Sequence, residues 1–234
     1  MPCAVRLNWD HSTPARAGQI KSRQRVRDLA EVYTHKREID AMLDLVADMF
    51  PSAEVPRNTD GTFFEPACGA GSFLEEILRR KLAFVTARRY GRGERYEHRV
   101  LRCLASIYGV DISLDNVDES RDRLWAVINS HLDNDLNTQE LSPGFVDAAE
   151  VILATNIVCG DTLADAGTIE LVAYHPGRVG TFVRVWSYLD SEARPLDLFS
   201  TLAPKRDERA VHYSELGAHP GPVVASSNGR ALGV

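Results

Sequence analysis

The sequence predicts an α/β chain whose core is a short parallel sheet and whose C-terminal part carries a β-hairpin. Three observations support this. The runs "TFFEP", "SIYGVDIS" and "ATNIVCGD" are short, largely apolar and end at proline, glycine or a carboxylate, as strands buried in a parallel sheet do. Helical stripes lie between them. Finally, "TIELVAYH" and "TFVRVWSY" flank "PGRVG", two β-rich runs about a turn.

In chain order, residues 1–30 are polar and arginine-rich without periodicity and are expected as a flexible arm. Residues 31–203 are expected as the folded unit and 204–234 as a patternless tail, disordered or used for docking. Thr34 is placed to cap a helix in which Ile39, Met42, Leu43, Val46 and Met49 recur at helical spacing, closed by Pro51. A turn-rich loop leads to the first strand. After Gly71, the stripe Phe73, Leu74, Ile77, Leu78 and Leu82 predicts a helix whose basic end, Arg79 to Lys81, suits its negative pole. A basic, partly helical stretch from Thr86 precedes the second strand. Ser113 then caps a helix with Leu114, Val117, Leu124, Trp125 and Ile128 on its inner side, and an Asn- and Asp-rich loop leads to the third strand.

The 234 residues, 44% hydrophobic, suffice for one sizeable core and no second folded domain. Neither an apolar run of membrane-spanning length nor a signal-peptide centre occurs, so a cytoplasmic location and no membrane contact are expected. The four cysteines lack any C-x-x-C pairing, which argues for reduced thiols and against a metal site. A net charge of −6 does not suggest a polyanion partner, yet residues 79–102 hold nine Lys or Arg against two Glu. Local contact with a nucleic-acid backbone and a solvated helix face both remain open for that stretch.

Strands ending in "EPACGAG", "VDIS" and "CGDTL" bring three loops to one carboxyl edge, where open α/β sheets bind ligands. Gly69 and Gly71 allow close backbone approach, Asp111 is placed to accept from ribose hydroxyls, and Asp161 to accept from an exocyclic amine such as that of adenine. Leu74 stands where a dinucleotide fingerprint has a small residue, and no Gly-Lys-Ser/Thr follows for a triphosphate. An adenosyl ligand without a phosphate chain fits these residues.

"FFEPACGAGSFL" resembles the first motif of S-adenosylmethionine-dependent DNA adenine-N6 methyltransferases, (D/E)-P-A-C-G-x-G-x-F-L, in full. "IYGVDIS" and "NIVCGDTL" resemble the second and third motifs, and "VYTHKREIDAMLDLV" the upstream helix, with His35 in place of its proline. The order is that of restriction-modification adenine methylases. The resemblance covers residues 31–163 and implies a Rossmann-like methyltransferase sheet, truncated or incomplete, with the hairpin beyond it. It implies that Glu65, Pro66, Ala67, Cys68, Gly69 and Gly71 surround the methionine part of S-adenosyl-L-methionine and that Thr34 helps hold its carboxylate. Asp111 would take the ribose, Ile112 the adenine ring and Asp161 the adenine amine. DNA is the partner it implies, with methyl transfer to an exocyclic amine.

The family's catalytic tetrapeptide, (D/N/S)-P-P-(Y/F/W), occurs nowhere in the chain. By position the nearest stretch is "YHPGR", Tyr174 to Arg178, in which His175 is either an acceptor or a turn residue of the hairpin. The catalytic residues are thus not identified. The alternative to an active enzyme is a SAM-binding, methyltransferase-like subunit that depends on a partner, either a target-recognition chain or a second methyltransferase subunit.

Overall fold

The computed structural model describes residues 34–136, 141–190 and 205–224; the arm expected over 1–30 lies outside them. The chain is mixed α/β, with a three-stranded parallel sheet and a three-stranded antiparallel sheet. No helix among the described residues is long and apolar enough to cross a membrane.

Helix α1 (Lys36–Asp44) buries Ile39 and Leu43, one turn apart. It is shorter than its spacing predicts: the chain leaves the helix after Asp44 and makes a 3-10 turn over Ala47–Met49. His35, not Thr34, occupies the N-cap position, and its side chain makes no capping bond. Phe50 then stacks on Phe63 at 4.8 Å, which fixes the approach to β1 (Phe63–Glu65).

Helix α2 (Ser72–Leu82) presents Leu74, Ile77, Leu78 and Leu82 to the core as its stripe predicts, each such burial stabilising by roughly 1.5–3 kcal/mol. Lys81 departs from the expected exposed basic end. It is fully buried, and its Nζ donates to Thr59 O (3.0 Å), Ser106 Oγ (2.8 Å) and Gly61 O, so it ties the approach to β1 to the approach to β2. Burial pushes its ammonium down to about 8. The basic stretch folds as a single turn, α3 (Ala87–Tyr90), and a full helix, α4 (Glu94–Ala105), that runs straight into β2 (Ile107–Asp111).

Helix α5 (Leu114–Leu136) is followed, after residues outside the description, by α6 (Phe145–Asn156), which abuts β3 (Ile157–Cys159). Sequence periodicity does not reveal α6. Phe145, Ala148, Ala149, Val151, Ile152 and Leu153 are all buried, and only Asp147 and Glu150 mark a narrow polar side, too little contrast to set a clear stripe. The first sheet runs β1-β2-β3, all parallel, with Phe63 beside Ile107 and Asp111 beside Cys159. Leu74 is seated over Gly109 in β2, where a Cβ would stand 2.7 Å from Leu74 Cδ1. The small residue that lets helix and strand approach therefore lies on the strand.

The hairpin forms as predicted, β4 (Glu170–Pro176) against β5 (Thr181–Tyr188). It covers the sheet face bearing Val110 and Val158 with Ile169 and Leu171, and Tyr108 donates its hydroxyl to Val172 O at 3.3 Å. Along β4 the chain passes from Ile169, against Gly160 after β3, to Tyr174, whose hydroxyl is 2.9 Å from Thr155 Oγ1 before β3. It descends from the carboxyl edge to the amino edge.

Residues 205–224 correct the expected patternless tail. Arg206 bridges to Val185, and β6 (Val211–His212) pairs antiparallel with β5. The fully buried Arg184 of β5 holds the segment: Nε and Nη2 donate to the Asp207 carboxylate at 2.9 and 3.1 Å, and the guanidinium also donates to His219 O and Gly221 O. Burial pushes the Asp207 carboxyl up, but hydrogen bonds from Arg184 and from the Val223 and Arg184 amides outweigh it and hold it below its ordinary value. Such order is not legible as a local pattern, because its cause lies 23 residues upstream.

Asp207→Ala leaves the buried guanidinium unpaired and is expected to cost ~3–5 kcal/mol in urea unfolding, whereas Arg184→Met with Asp207→Leu costs much less. A lowered folded-state carboxyl contributes stability above its unfolded value, and that contribution is lost as pH falls through the folded one. The urea midpoint of the parent should therefore drop on acidification below about pH 4 more steeply than that of the double variant.

Candidate cofactor site

Because β1, β2 and β3 are parallel, the loops after Glu65, Asp111 and Cys159 emerge along one edge. Two contacts knit them together. Gly69 donates its amide to Asp111 Oδ2 at 2.9 Å, drawing the glycine loop onto the end of β2. Thr162 donates its hydroxyl to Pro66 O at 3.2 Å, joining the loops after β3 and β1.

The glycines serve different purposes. Gly71, at φ +81°, faces α5: a Cβ there would overlap Ser120 Oγ and lie 3.0 Å from Ser120 Cα. Its role is packing as well as conformation. Gly69, at φ +54°, has no atom within 4 Å of the Cβ it lacks, so of the two it is the glycine with an open side.

Asp111 is more committed than its place at a strand end suggests. Besides Gly69, it accepts from Ser113 N (2.9 Å) and Asn116 Nδ2 (3.1 Å), both through Oδ1. Of a carboxylate's roughly four lone-pair directions this leaves about one for a ribose hydroxyl, not two. Asp161 accepts from Leu163 N and Ala164 N (2.9 and 3.0 Å) through Oδ1 alone. Its Oδ2 makes no such contact among the described residues. Ile112 is 58% exposed and Leu163 98%, apolar side chains that stand at the rim without cover.

Glu65 is partly buried at the end of β1, and burial pushes its carboxyl up against the opposing effect of the Ala67 amide. Burial also pushes the Cys68 thiol up to about 12, with the Asp111 and Glu65 charges adding to it. It is a small apolar filler, not a thiolate. Among the described residues no cluster of His, Cys, Asp or Glu is arranged to hold a metal ion.

Thr34 stands apart from the aspartates. It shares with Ser72, the first residue of α2, the lining of a groove of about 640 Å³ on the outer side of α1 and α2. Asp111 and Asp161 do not line it. Its charges are already paired: Glu76 with Lys36 and Arg80 (3.2 and 3.1 Å), Glu75 with Arg79 and Arg123 (2.8 and 3.4 Å). The glycine-loop end, at Ser72, is the part of this groove that adjoins the rim.

Two sequence candidates fall at the other end of the sheet. "YHPGR" occupies the foot of β4 and the hairpin turn: Tyr174 is buried against Thr155, and Gly180 lies against Glu94 and His212. Neither His175 nor Arg178 is near the glycine loop. The basic stretch divides in two. Arg79, Arg80, Lys81, Arg99 and Arg102 are bound to protein groups, while Arg88, Arg89 and Arg95 are exposed beyond the end of α2, about 16 Å of helix from the rim. Asn116 and Thr162, which tie the rim together, carry no signal in single-sequence reading. Gly109 does carry one, since a lone glycine within an apolar strand marks close approach by a neighbour.

Gly71→Ala is expected to lower stability by ~1–3 kcal/mol, from the left-handed conformation plus the overlap with Ser120. Ser120→Ala should recover part of that loss in a double-variant cycle, whereas it should not relieve Gly69→Ala; chemical denaturation reads both. Comparison of the chain with protein-family models, with curated proteins and with solved structures finds no match in any of the three.

Proposed function

We propose that the chain binds S-adenosyl-L-methionine at this rim as a methyltransferase of the DNA adenine-N6 type, on a Rossmann-like sheet of which it holds the cofactor half. The observation that carries the reading is the meeting of the full "EPACGAG" loop with Asp111 and the loop bearing Asp161 at one parallel-sheet edge, beside an uncovered Ile112. Gly69 offers an open side to the methionine part, Asp111 keeps an acceptor for the ribose, Ile112 supplies an apolar face for adenine, and Asp161 Oδ2 is available to its amine. Thr34 and Ser72 line the groove on the glycine loop's other side, where the amino-acid end would lie.

Methyl transfer from a sulfonium to an amine needs little covalent help. It needs the amine's lone pair aimed at the methyl carbon and acceptors for the amine hydrogens. No described residue is placed at the rim to do this beyond those assigned to the cofactor. This favours the second form of the reading, a SAM-binding chain that transfers the methyl group only with a partner. Residues Arg88 to Arg95, on the far side, then serve DNA only through backbone passing that end of the molecule.

Leu74, seated over Gly109, does not hold helix and strand apart, so its bulk is no argument against a dinucleotide and NADH is the control that matters. Calorimetry is expected to give saturable binding of S-adenosylmethionine and no heat with NADH. Ile112→Asp, at an exposed position, should weaken that binding about tenfold or more with melting unchanged. Tight NADH binding would refute the assignment. Tritiated methyl transfer to adenine-containing DNA should be absent with the purified chain alone; incorporation by that chain would show that no partner is needed.

A further inference from the structure

A second hydrogen-bonded group stands away from the rim, where the hairpin turn meets the start of α4. The C-terminal segment brings His212, the last residue of β6, and Ser214, in a 3-10 turn over Tyr213–Glu215, beside Glu94, the first residue of α4. Ser214 Oγ lies 2.7 Å from His212 Nδ1, and Glu94 Oε1 lies 3.2 Å from His212 Nε2.

One backbone bond fixes where the imidazole proton sits. Ser214 N is 3.2 Å from His212 Nδ1, and a main-chain amide can only donate, so Nδ1 is the acceptor nitrogen. The proton of the neutral ring is therefore on Nε2, facing Glu94, and the Ser214 hydroxyl gives its own proton to Nδ1. Hydroxyl, imidazole and carboxylate stand in series, a nucleophile within reach of a base that a third group orients.

The backbone holds this arrangement. β6 pairs with Thr181 and Phe182 of β5, and Tyr213 donates its amide to Gly180 O at 2.8 Å. Gly180 leaves the space in which the carboxylate meets the ring: a Cβ there would overlap Glu94 Oε1 and stand 2.5 Å from His212 Nε2. Buried Tyr213 anchors the turn, its hydroxyl donating to Glu97 Oε2 at 2.6 Å. Ser214 is exposed and His212 and Glu94 are partly so, which leaves the hydroxyl open to solutes. Capping the 3-10 turn needs only the Nδ1 acceptor. It accounts neither for a carboxylate 118 residues away in the chain nor for the glycine that admits it.

We propose that Ser214, His212 and Glu94 form a nucleophilic site that hydrolyses small activated esters through an acyl-serine, a function separate from cofactor binding at the rim. Ser214 Oγ attacks the carbonyl carbon as its proton passes to His212 Nδ1. The tetrahedral adduct then breaks its bond to the ester oxygen, which takes that proton and leaves as the alcohol. Water attacks the acyl-serine through the same imidazole, and the acyl group departs as the carboxylic acid while Ser214 regains its hydrogen. Glu94 is a positioning residue, whose charge faces the imidazolium formed midway. An exposed hydroxyl discriminates by the reactivity of the ester, so a short acyl group on a good leaving group suits it.

The test incubates the full chain with p-nitrophenyl acetate, follows release of p-nitrophenolate, and maps the acetylated residues by peptide mass spectrometry. An initial burst with acetyl on Ser214 is expected. His212→Asn keeps a carbonyl to cap the turn and removes the base, so acetylation of Ser214 should slow about a hundredfold with melting unchanged. Ser214→Ala should lose the burst. Glu94→Gln keeps an acceptor and removes the charge, so acetylation should slow and its pH midpoint should move down, because the imidazolium loses its counter-charge. A purely structural Glu94 would leave that midpoint in place. No acetyl on Ser214, or equal acetylation of Ser214 in His212→Asn and the parent, would overturn the proposal. The parent alone decides the first of these, so the test stands even if His212→Asn does not fold. Binding of S-adenosylmethionine should be the same in all three variants, which keeps the two sites distinguishable.

Discussion

The carboxylate of Asp111 holds the rim in its shape. It receives the Gly69 amide from the loop after β1, the Ser113 amide from the start of α5, and the Asn116 side chain one turn further on. Three elements that meet only at the end of β2 are thereby fixed to one another, and the left-handed Gly69 is held without a contact of its own on its open side. A carboxylate stabilised by amides is well suited to this, because charge-assisted bonds are stronger and more directional than neutral ones. The same commitment narrows what Asp111 has left to give a ligand. Structure and recognition draw on one set of lone pairs.

Below the rim, the packing follows from one exchange of bulk. Leu74 on α2 meets Gly109 on β2, and Cys68 fills the space beside them. A larger side chain at Gly109 would lift the helix whose first turn carries the glycine loop, so rim geometry depends on a residue that touches no ligand. On the opposite face the hairpin supplies Ile169 and Leu171 against Val110 and Val158. An antiparallel pair thus covers part of the parallel sheet, and its downward course takes Tyr174 to Arg178 away from the rim.

Much of this was legible in the sequence, and the limits are physical. The apolar runs, the stripe of α2 and the hairpin are local signals, set by residue spacing and turn chemistry. The glycine loop and its two aspartates were legible as a group because three strand ends must share an edge. Helix α6 was not, since its apolar residues cover most of its circumference and Asp147 and Glu150 alone give little periodic contrast. Nor was the single buried turn of Lys81, because a cation at a helix C-terminus has the same sequence signature whether it faces water or three acceptors. The separate duties of Gly69 and Gly71 depend on Ser120, some fifty residues on, and the ordering of 205–224 on Arg184.

That last dependence bears on how the polypeptide acquires its shape as it is made. Val185 and Trp186 can register with β4 as soon as the hairpin has emerged, but between them and Val183 sits a guanidinium in an apolar setting whose counter-charge has not yet been translated. Until Asp207 and the carbonyls of His219 and Gly221 arrive, Arg184 is best served by water, which keeps the second sheet open. Closure of that sheet therefore waits for the emergence of residues 207–221, and a nascent chain that stops short of Asp207 holds a hairpin with an unanswered positive charge.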